Sequence, residues 1–456
     1  MVTVPRLVVA APSSGSGKTT VATGLMAAFA ARGLQVSPHK VGPDYIDPGY
    51  HALATGRPGR NLDPWLTSEE LVVPLFLHGA ASADIAVVEG VMGLYDGAAG
   101  LGPSDSAGGG DYASTAHVAT LLDAPVVLVV DASAAAGRSV AALVHGFRSF
   151  GTVRVGGVVL NRLGSDGHER MCRDAVEELG LPVLGALRRS DDAVTPSRHL
   201  GLVPAAERNA EAVETVRRLG ELVAASCDLD ALMALAQGAP QLDAAPWDPS
   251  KAVPDKHPGR PRIAVAGGPA FTFGYAENEE LLEAAGAEVV RFDPLQDEGL
   301  PDGTRGVVIG GGFPEVYAAQ LSSNERLRKE LAAFANAARP VYAECAGLLY
   351  LAEELDGAPM CGVLNGAKAA MAPRLTLGYR AAVAVADSVV ARAGERVHGH
   401  EFHRTVTDPE RGETAAWQWA ASRPVGFVRG DCVASYLHVH WAGSPWFASR
   451  MVAACR

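Results

Sequence analysis

What this 456-residue sequence has little of narrows its class before any motif is read. Its six cysteines (Cys172, Cys227, Cys345, Cys361, Cys432 and Cys455) include no CxxC pair and no dense cluster, so neither a zinc ribbon nor a disulfide scaffold is expected. Such usage fits a reducing, cytoplasmic setting. The opening segment MVTVPRLVVAAPSSG has an apolar run of only a few residues before a glycine-rich turn, too short for a signal segment or a membrane span, so neither export nor membrane insertion is expected. Positive charge is also in deficit. A net charge of −12 disfavours a general nucleic-acid binder while still allowing a local basic pocket for an acidic small molecule. With 48% hydrophobic and 20% charged residues the chain is no disordered polyelectrolyte, and its length calls for two or three domains, two being the working number.

The first half repeats one unit: a short β-branched run, a Gly/Ser/Asp-rich turn, then an alanine-rich helical stretch. LVVAAP, IAVVEG, PVVLVVDA and VGGVVLN are its clearest buried strands. The segment QGAPQLDAAPWDPSKAVPDKHPGRP then breaks the rhythm with Pro, Ala and Asp and no apolar periodicity, which reads as a solvated linker. The expected division is a first domain over residues 1–236, a linker over 237–261 and a second α/β domain over 262–456. RIAVAGG, NEELLEAAG, EVVRFD, GVVIGGG and PVYAECAG restart the alternation after the linker. From about Gly378 strand-like segments with clustered histidines replace it.

APSSGSGKTT joins the first strand to the first helix, so its backbone amides converge on a polyphosphate in the manner of a P-loop. Gly15, Gly17, Lys18, Thr19 and Thr20 are the expected nucleotide-binding residues of this loop, Lys18 reaching terminal phosphates and Thr19 supplying a hydroxyl to Mg²⁺. ATP and Mg²⁺ are the expected cofactors. Glu89, ending IAVVEG at the carboxyl edge of the sheet, is a second Mg²⁺ ligand by position. KVGPDYIDPGYH contributes Lys40, Asp44, Tyr45 and Asp47 from a turn-rich loop, and GVMGLYDG contributes Asp96; each acid taken singly is equally well a turn former. Asn161, closing VGGVVLN, is placed for adenine or serves only as a strand-ending turn.

PVYAECAGLLYL reads as a strand, a sharp turn at Cys345 and a helix, the arrangement that exposes a thiolate nucleophile. Upstream, VVIGGGFPE ends a strand in Gly310, Gly311 and Gly312. Amides of Gly311, Gly312 and Ala346 are the expected oxyanion donors. SYLHVHW supplies His438 and His440 as base candidates, His438 being favoured. In HGHEFHRT the histidines His398, His400 and His403 do not have the helical HExxH spacing, and alternation sets His403 on the other face, so a polar wall or structural histidines are expected there rather than a metal.

Taken in order, APSSGSGKTT, KVGPDYIDPGYH, VVEGVMGLYDG, GGGFPE, AECAGL, HGHEFH and SYLHVHW resemble the corrin a,c-diamide synthases of cobalamin biosynthesis over nearly the whole chain. The resemblance implies an N-terminal P-loop parallel sheet with flanking helices, similar to dethiobiotin synthetase, and a C-terminal class I glutamine amidotransferase-like α/β domain. It implies ATP- and glutamine-dependent conversion of the a and c carboxylates of hydrogenobyrinate or cobyrinate to carboxamides. Cys345 matches the nucleophile and His438 the residue that activates it. Lys18, Thr19 and Glu89 match the nucleotide and Mg²⁺ site, with Asp44 as a further metal ligand. Asp44, Tyr45, Asp47 and Asp96 match loops facing the corrinoid and the transferred phosphoryl group. The acid that usually follows the histidine by two residues is His440 here, which leaves the orienting group open, with Glu401 as a candidate. Glutamine and a corrinoid polycarboxylate are the implied partners, with a homodimer left open. Arg57 and Arg60 in ATGRPGRNLD are counter-charges for such a substrate or ordinary surface arginines. The high-GC style of composition leans toward the cobalt-free macrocycle. Alternatives are a cobyric acid synthase, a nickel-tetrapyrrole diamide synthase, or a regulatory P-loop ATPase, against which Ser13 near the loop start and the Cys345 turn both argue.

Overall fold

Runs of β-branched residues without polar interruption suit strands covered on both faces, and here they make the middle of a parallel sheet. The computed structural model describes residues 3–98, 100–101, 111–135, 137–189, 197–198, 201–202, 209–420 and 423–455. Its contacts divide the chain into two units, Met1–Pro64 with Ser68–Trp247, and Trp65–Thr67 with Asp248–Arg456.

In the first unit β1 (Arg6–Ala10), β2 (Val36–Val41), β3 (Arg60–Leu62), β4 (Ile85–Glu89), β5 (Val126–Asp131), β6 (Val155–Leu163) and β7 (Val183–Arg188) lie in the order β3-β2-β4-β1-β5-β6-β7. Every pairing in this sheet is parallel. Helices α1 (Lys18–Ala31), α2 (Asp47–Thr55), α3 (Glu69–Gly79), α4 (Thr115–Leu121), α5 (Arg138–Phe150) and α6 (Asp166–Glu177) connect the strands. A small ribbon of β8 (Ser197–Arg198) and β9 (Gly201–Leu202) follows, then α7 (Asn209–Ser226) and α8 (Leu229–Gln237). β1, β2 and β4 are buried at every position, so any polar side chain at their carboxyl ends is held in a dry setting. Ser68, Ser114, Ser165 and Asp228 cap α3, α4, α6 and α8 by accepting first-turn amides, whereas α1 starts after Gly17 with no side-chain cap.

Part of the stretch expected to be a solvated linker is instead tied down. In the first unit the Arg6 guanidinium donates to the Pro240 carbonyl at 2.6 Å, the Trp247 amide donates to the Pro74 carbonyl at 2.9 Å, and Leu242 and Trp247 are buried. Burial of those side chains, unseen in a Pro- and Ala-rich composition, is the physical reason.

The second unit holds α9 (Pro249–Ala252), β10 (Arg262–Ala266), α10 (Ala276–Ala284), β11 (Glu288–Phe292), β12 (Thr304–Ile309), α11 (Ala318–Ser323), α12 (Glu325–Asn336), β13 (Val341–Glu344) and α13 (Ala346–Leu351). It continues with β14 (Glu354–Leu355), β15 (Ala358–Pro359), β16 (Lys368–Ala384), β17 (Arg396–Asp408), β18 (Trp417–Trp419), β19 (Phe427–Arg429), β20 (Cys432–Ser435), β21 (His438–Val439) and α14 (Trp446–Ala454). One sheet runs β11-β10-β12-β13-β20-β19, parallel except for the last pair. The other runs β15-β14-β16-β17-β21 and is built on the long antiparallel pair β16 and β17. Val307, Ile309, Val341, Ala343, Leu348, Leu349 and Leu351 belong to a single buried cluster, which fixes the ends of β12 and β13 side by side. Among the described residues no helix is long and apolar enough to cross a membrane.

Candidate active sites

In the first unit the loop after β1 turns into α1 at Gly17, whose φ is +97°. A Cβ there would lie 2.2 Å from the Asn161 amide nitrogen, so both the backbone angle and the space require glycine. That amide donates to the Ser16 carbonyl at 2.9 Å, and the Asn161 oxygen accepts from the Arg162 amide at 2.9 Å. Asn161 therefore shapes the loop; both ends of its side chain are engaged with backbone. The Lys18 ammonium donates to the carbonyls of Met92 at 2.5 Å and Ser13 at 3.5 Å, across the mouth of the loop. Burial and the nearby charge of Lys40 hold it below its ordinary pKa.

Beside the loop lies a buried charge network. Thr19 Oγ1 donates to Glu89 Oε1 at 2.6 Å and is 3.4 Å from Asp47 Oδ2. Lys40 Nζ donates to Asp47 at 2.7 Å, to Glu89 at 3.0 Å and to the Gly90 carbonyl at 3.1 Å. His51 Nε2 lies 2.7 Å from Glu89 Oε2, and both residues are fully buried. Burial alone would lower Lys40, yet the carboxylates of Asp47 and Glu89 outweigh it and keep the ammonium above its ordinary pKa. Glu89 is likewise held below the carboxylate range: burial pushes it up, and Lys40, His51 and Thr19 together win. Asp47 is raised by burial and by the charges of Asp44 and Glu89. Asp44 accepts the amides of Ile46 and Asp47, and Asp96 accepts the Gly93 amide at 2.9 Å. Tyr45 is buried on the same loop, Gly15 is exposed at the loop tip, and Thr20 is half-buried in the first turn of α1.

Arg57 and Arg60 are not brought to this cluster. Arg57 donates to the carbonyls of Gly79 and Ala81, each at 2.8 Å, closing the end of α3. Arg60 is in register with His39, while Lys40 is in register with Glu89, so alternation puts the arginine on the opposite face of the sheet. As counter-charges for the same site both are corrected, Arg57 by its two carbonyl partners at the end of α3 and Arg60 by its register.

The donor set fits a Mg²⁺ nucleotide complex. Mg²⁺ takes hard oxygens and commonly needs only one or two carboxylates, the remaining ligands coming from phosphates and water. Thr19, Glu89 and the Asp44–Asp47 loop supply such oxygens. Among the described residues no group of three or more His, Cys, Asp or Glu side chains forms a metal cage of its own.

In the second unit β13 ends at Glu344 and the chain turns at Cys345, with φ 47° and ψ −98°, directly into α13. The thiol is buried. Burial, then the charges of Glu315 and Glu344, push it up, opposed by the backbone amides of Ala346 and Gly312. Its Sγ is 4.0 Å from the Phe402 carbonyl. The Gly311 amide, expected among the oxyanion donors, is a correction: it donates to the Phe273 carbonyl at 3.2 Å, in a bridge returned by the Phe273 amide at 3.0 Å. Gly311 matters instead for space, since a Cβ there would lie 2.5 Å from His438 Cε1.

His438 is fully buried, with Nδ1 3.5 Å from Glu344 Oε2. His400, its register partner across β17 and β21, stacks on it at 4.9 Å between ring centres. Burial and the adjacent His438 hold His400 well below its ordinary pKa. Tyr275 Oη is 3.2 Å from His400 Nε2. His440 points elsewhere: its Nε2 is 3.5 Å from Glu277, and its Nδ1 accepts the Ala442 amide at 3.3 Å. Glu401 binds Arg380 at 2.7 Å and lies 3.5 Å from His403. One step along β17 from His400, it faces the other way, and the acid beside His438 is Glu344. Sequence reading missed Glu344 and His51. The signals were present, an acid directly before the cysteine in AEC and the histidine closing DPGYH, but only folding shows what they touch.

Comparison with known proteins assigns each unit. Residues 7–203 match the model of the CobQ/CobB/MinD/ParA nucleotide binding domain, and residues 262–446 match that of the CobB/CobQ-like glutamine amidotransferase domain. The chain is thus a glutamine-hydrolysing ligase by class, with a nucleotide-binding unit and an amidotransferase unit. It is similar to hydrogenobyrinate a,c-diamide synthase of Streptomyces coelicolor, 61% identical over 99% of this chain and 98% of that protein. The protein of the same name in Thermobifida fusca is 54% identical over 99% and 97%. The cobyrinate a,c-diamide synthase of Gloeobacter violaceus is 43% identical over 98% and 96%. The chain belongs to the a,c-diamide synthase family.

Proposed function

We propose that this protein uses ATP and glutamine to convert the a and c carboxylates of hydrogenobyrinate to carboxamides in cobalamin biosynthesis. The observation that carries the reading is the pairing of two sites in one chain: a phosphate loop beside a buried Lys40–Asp47–Glu89 network, and a cysteine held at φ 47° in the turn from β13 to α13 in the unit that also buries His438 beside Glu344. The metal-free macrocycle is favoured because relatives at 53–61% identity are named for hydrogenobyrinate, while those named for cobyrinate stand at 39–43%.

A carboxylate is a poor acyl donor, since its charge repels nucleophiles and oxide does not leave. Bound Mg·ATP supplies the phosphoryl group that turns it into an acyl phosphate. Amides around Gly15 and Gly17 and at the start of α1, with Thr20, would cradle the phosphates, and Lys18 would supply a positive charge to the terminal phosphates. Thr19 and Glu89, with Asp44 nearby, would hold the metal, with Glu89 fixed by His51 at 2.7 Å. Lys40, Tyr45, Asp47 and Asp96 border the acceptor carboxylate, where Lys40 offsets developing negative charge.

Ammonia is scarce at neutral pH, so the second site makes it. Cys345 Sγ attacks the glutamine side-chain carbonyl while His438 takes the thiol proton and returns it to the departing ammonia. Gly312 and Ala346 amides stabilise the oxyanion, and water then cleaves the glutamyl thioester to glutamate.

The test is to incubate the purified protein with Mg·ATP, glutamine and either hydrogenobyrinate or cobyrinate and to follow the macrocycle by mass spectrometry, with Cys345→Ala in parallel. Two successive exchanges of hydroxyl for amino are expected on hydrogenobyrinate, with the variant active only when ammonium is added. No change in either macrocycle while ATP is still hydrolysed would sink the corrin assignment.

A further inference from the structure

We propose that Glu344, the residue directly before the nucleophile, is the acid that orients His438, replacing the acid expected two positions after the histidine. This rests on the glutaminase reading above. The carboxylate is held at a fixed attitude: Oε1 accepts the Tyr342 hydroxyl and, at 3.1 Å, the Val439 amide. The other oxygen, Oε2, is then left on the side of His438, 3.5 Å from Nδ1. That distance is longer than a hydrogen bond, in keeping with catalytic contacts that tighten only once substrate is bound.

The ring is fixed on its remaining sides. His400 stacks on its face with planes 15° apart, and Gly311 borders Cε1 with no room for a side chain. Fixed so, with Nδ1 toward Glu344, the imidazole is left with Nε2 as its working nitrogen. The alternatives are engaged elsewhere, His440 beside Glu277 and Glu401 with Arg380 and His403.

The role follows from proton bookkeeping. A carboxylate at Nδ1 accepts a hydrogen bond from Nδ1–H, which keeps the proton off Nε2 and lets Nε2 take the thiol proton as the C–S bond forms. That proton passes to the leaving ammonia as the C–N bond breaks, and Glu344 stays ionised throughout. A Glu344→Gln variant keeps an oxygen for Tyr342 and Val439 but presents an amide N–H to Nδ1. The proton is then driven to Nε2, the wrong tautomer for a base. Glu344 is a positioning residue, since it acts through His438.

The experiment uses the full chain and measures glutamate release from glutamine, with ammonium-supported amidation on the same preparations as the folding control. For Glu344→Gln the expected result is a fall of about 100-fold or more in glutaminase kcat, with KM for glutamine little changed. The Glu344→Gln/His438→Ala double variant is expected to be no slower than His438→Ala alone, because a group acting only through His438 has nothing left to act on. A general packing role would instead multiply the two losses. Near-normal kcat in Glu344→Gln, or a multiplicative double variant, would overturn the proposal. Should the Gln variant not fold, Glu344→Asp, which keeps the charge but shortens the arm, takes the same two comparisons with a fall in kcat as the expected result. Wild-type protein that releases no glutamate from glutamine would instead refute the glutaminase reading itself, a separate outcome from any behaviour of Glu344.

Discussion

A single buried ring gives the first unit a pH response. His39 is fully buried on β2, 2.9 Å from the Ser37 hydroxyl and against Phe76, and burial together with the charges of Arg60 and Arg57 pushes its pKa down to about 3. Above pH 6.5 the ring is neutral in both folded and unfolded chains and its contribution to stability is complete. As pH falls from there toward 3 the unfolded chain takes up a proton that the folded chain refuses, and stability is lost at up to about 1.4 kcal/mol per pH unit. Urea midpoints between pH 7 and pH 5 should show this slope in the wild type and a shallower one in His39→Gln. Lys18 offers a kinetic test at the same scale. Its replacement by Ala should reduce ammonium-supported amidation by about 100-fold or more, the usual scale for removing a group that meets developing phosphoryl charge, while glutamate release from glutamine persists.

Among the elements, the phosphate loop is the most exacting. Gly17→Ala forces a methyl group against Asn161 at a φ of +97°, whereas a Cβ on Gly15 meets nothing within 4 Å and strains only its φ of +80°. Calorimetric titration with Mg·ATP should therefore show a loss of affinity of tenfold or more for Gly17→Ala and a smaller one for Gly15→Ala, each tenfold being about 1.4 kcal/mol. This loop was legible because its chemistry is local: glycines, a lysine and a threonine in consecutive positions between a strand and a helix. The βα alternation of both units was legible for the same reason. Arg57 and Arg60 were not: Arg57 precedes β3 and is tied to the carbonyls of Gly79 and Ala81, and Arg60 faces away because His39 rather than Lys40 is its register partner. Glu344 was not legible because nothing in the linear order links it to His438: the acid usually follows the histidine by two residues, and only the fold brings the end of β13 beside β21. The long pair β16 and β17 begins at Lys368, ten residues before the change of texture at Gly378, since its first half is an Ala-rich run with little strand signature.

At the scale of the whole molecule, the net charge of −12 meets a substrate that is itself a polycarboxylate under the proposed function. Like-signed partners approach more slowly at low ionic strength, and added salt screens the repulsion. The value of kcat/KM for hydrogenobyrinate should rise as the salt concentration is raised from low to physiological, whereas that for glutamine, which has no net charge, should change little. A fall with salt would mean that local basic residues dominate the encounter.

The turn at Cys345 has a consequence for endurance rather than chemistry. A side chain at φ 47° and ψ −98° stores strain of about 1–3 kcal/mol, carried by every molecule whether or not it ever meets glutamine. Glycine relieves that strain at the expense of about 0.4–1 kcal/mol of extra freedom in the unfolded chain. Cys345→Gly should thus be inert toward glutamine yet unfold at a higher urea concentration than Cys345→Ala, which loses the same buried thiol but keeps the strained Cβ, so that the protein's reactive residue is also one of its built-in weaknesses.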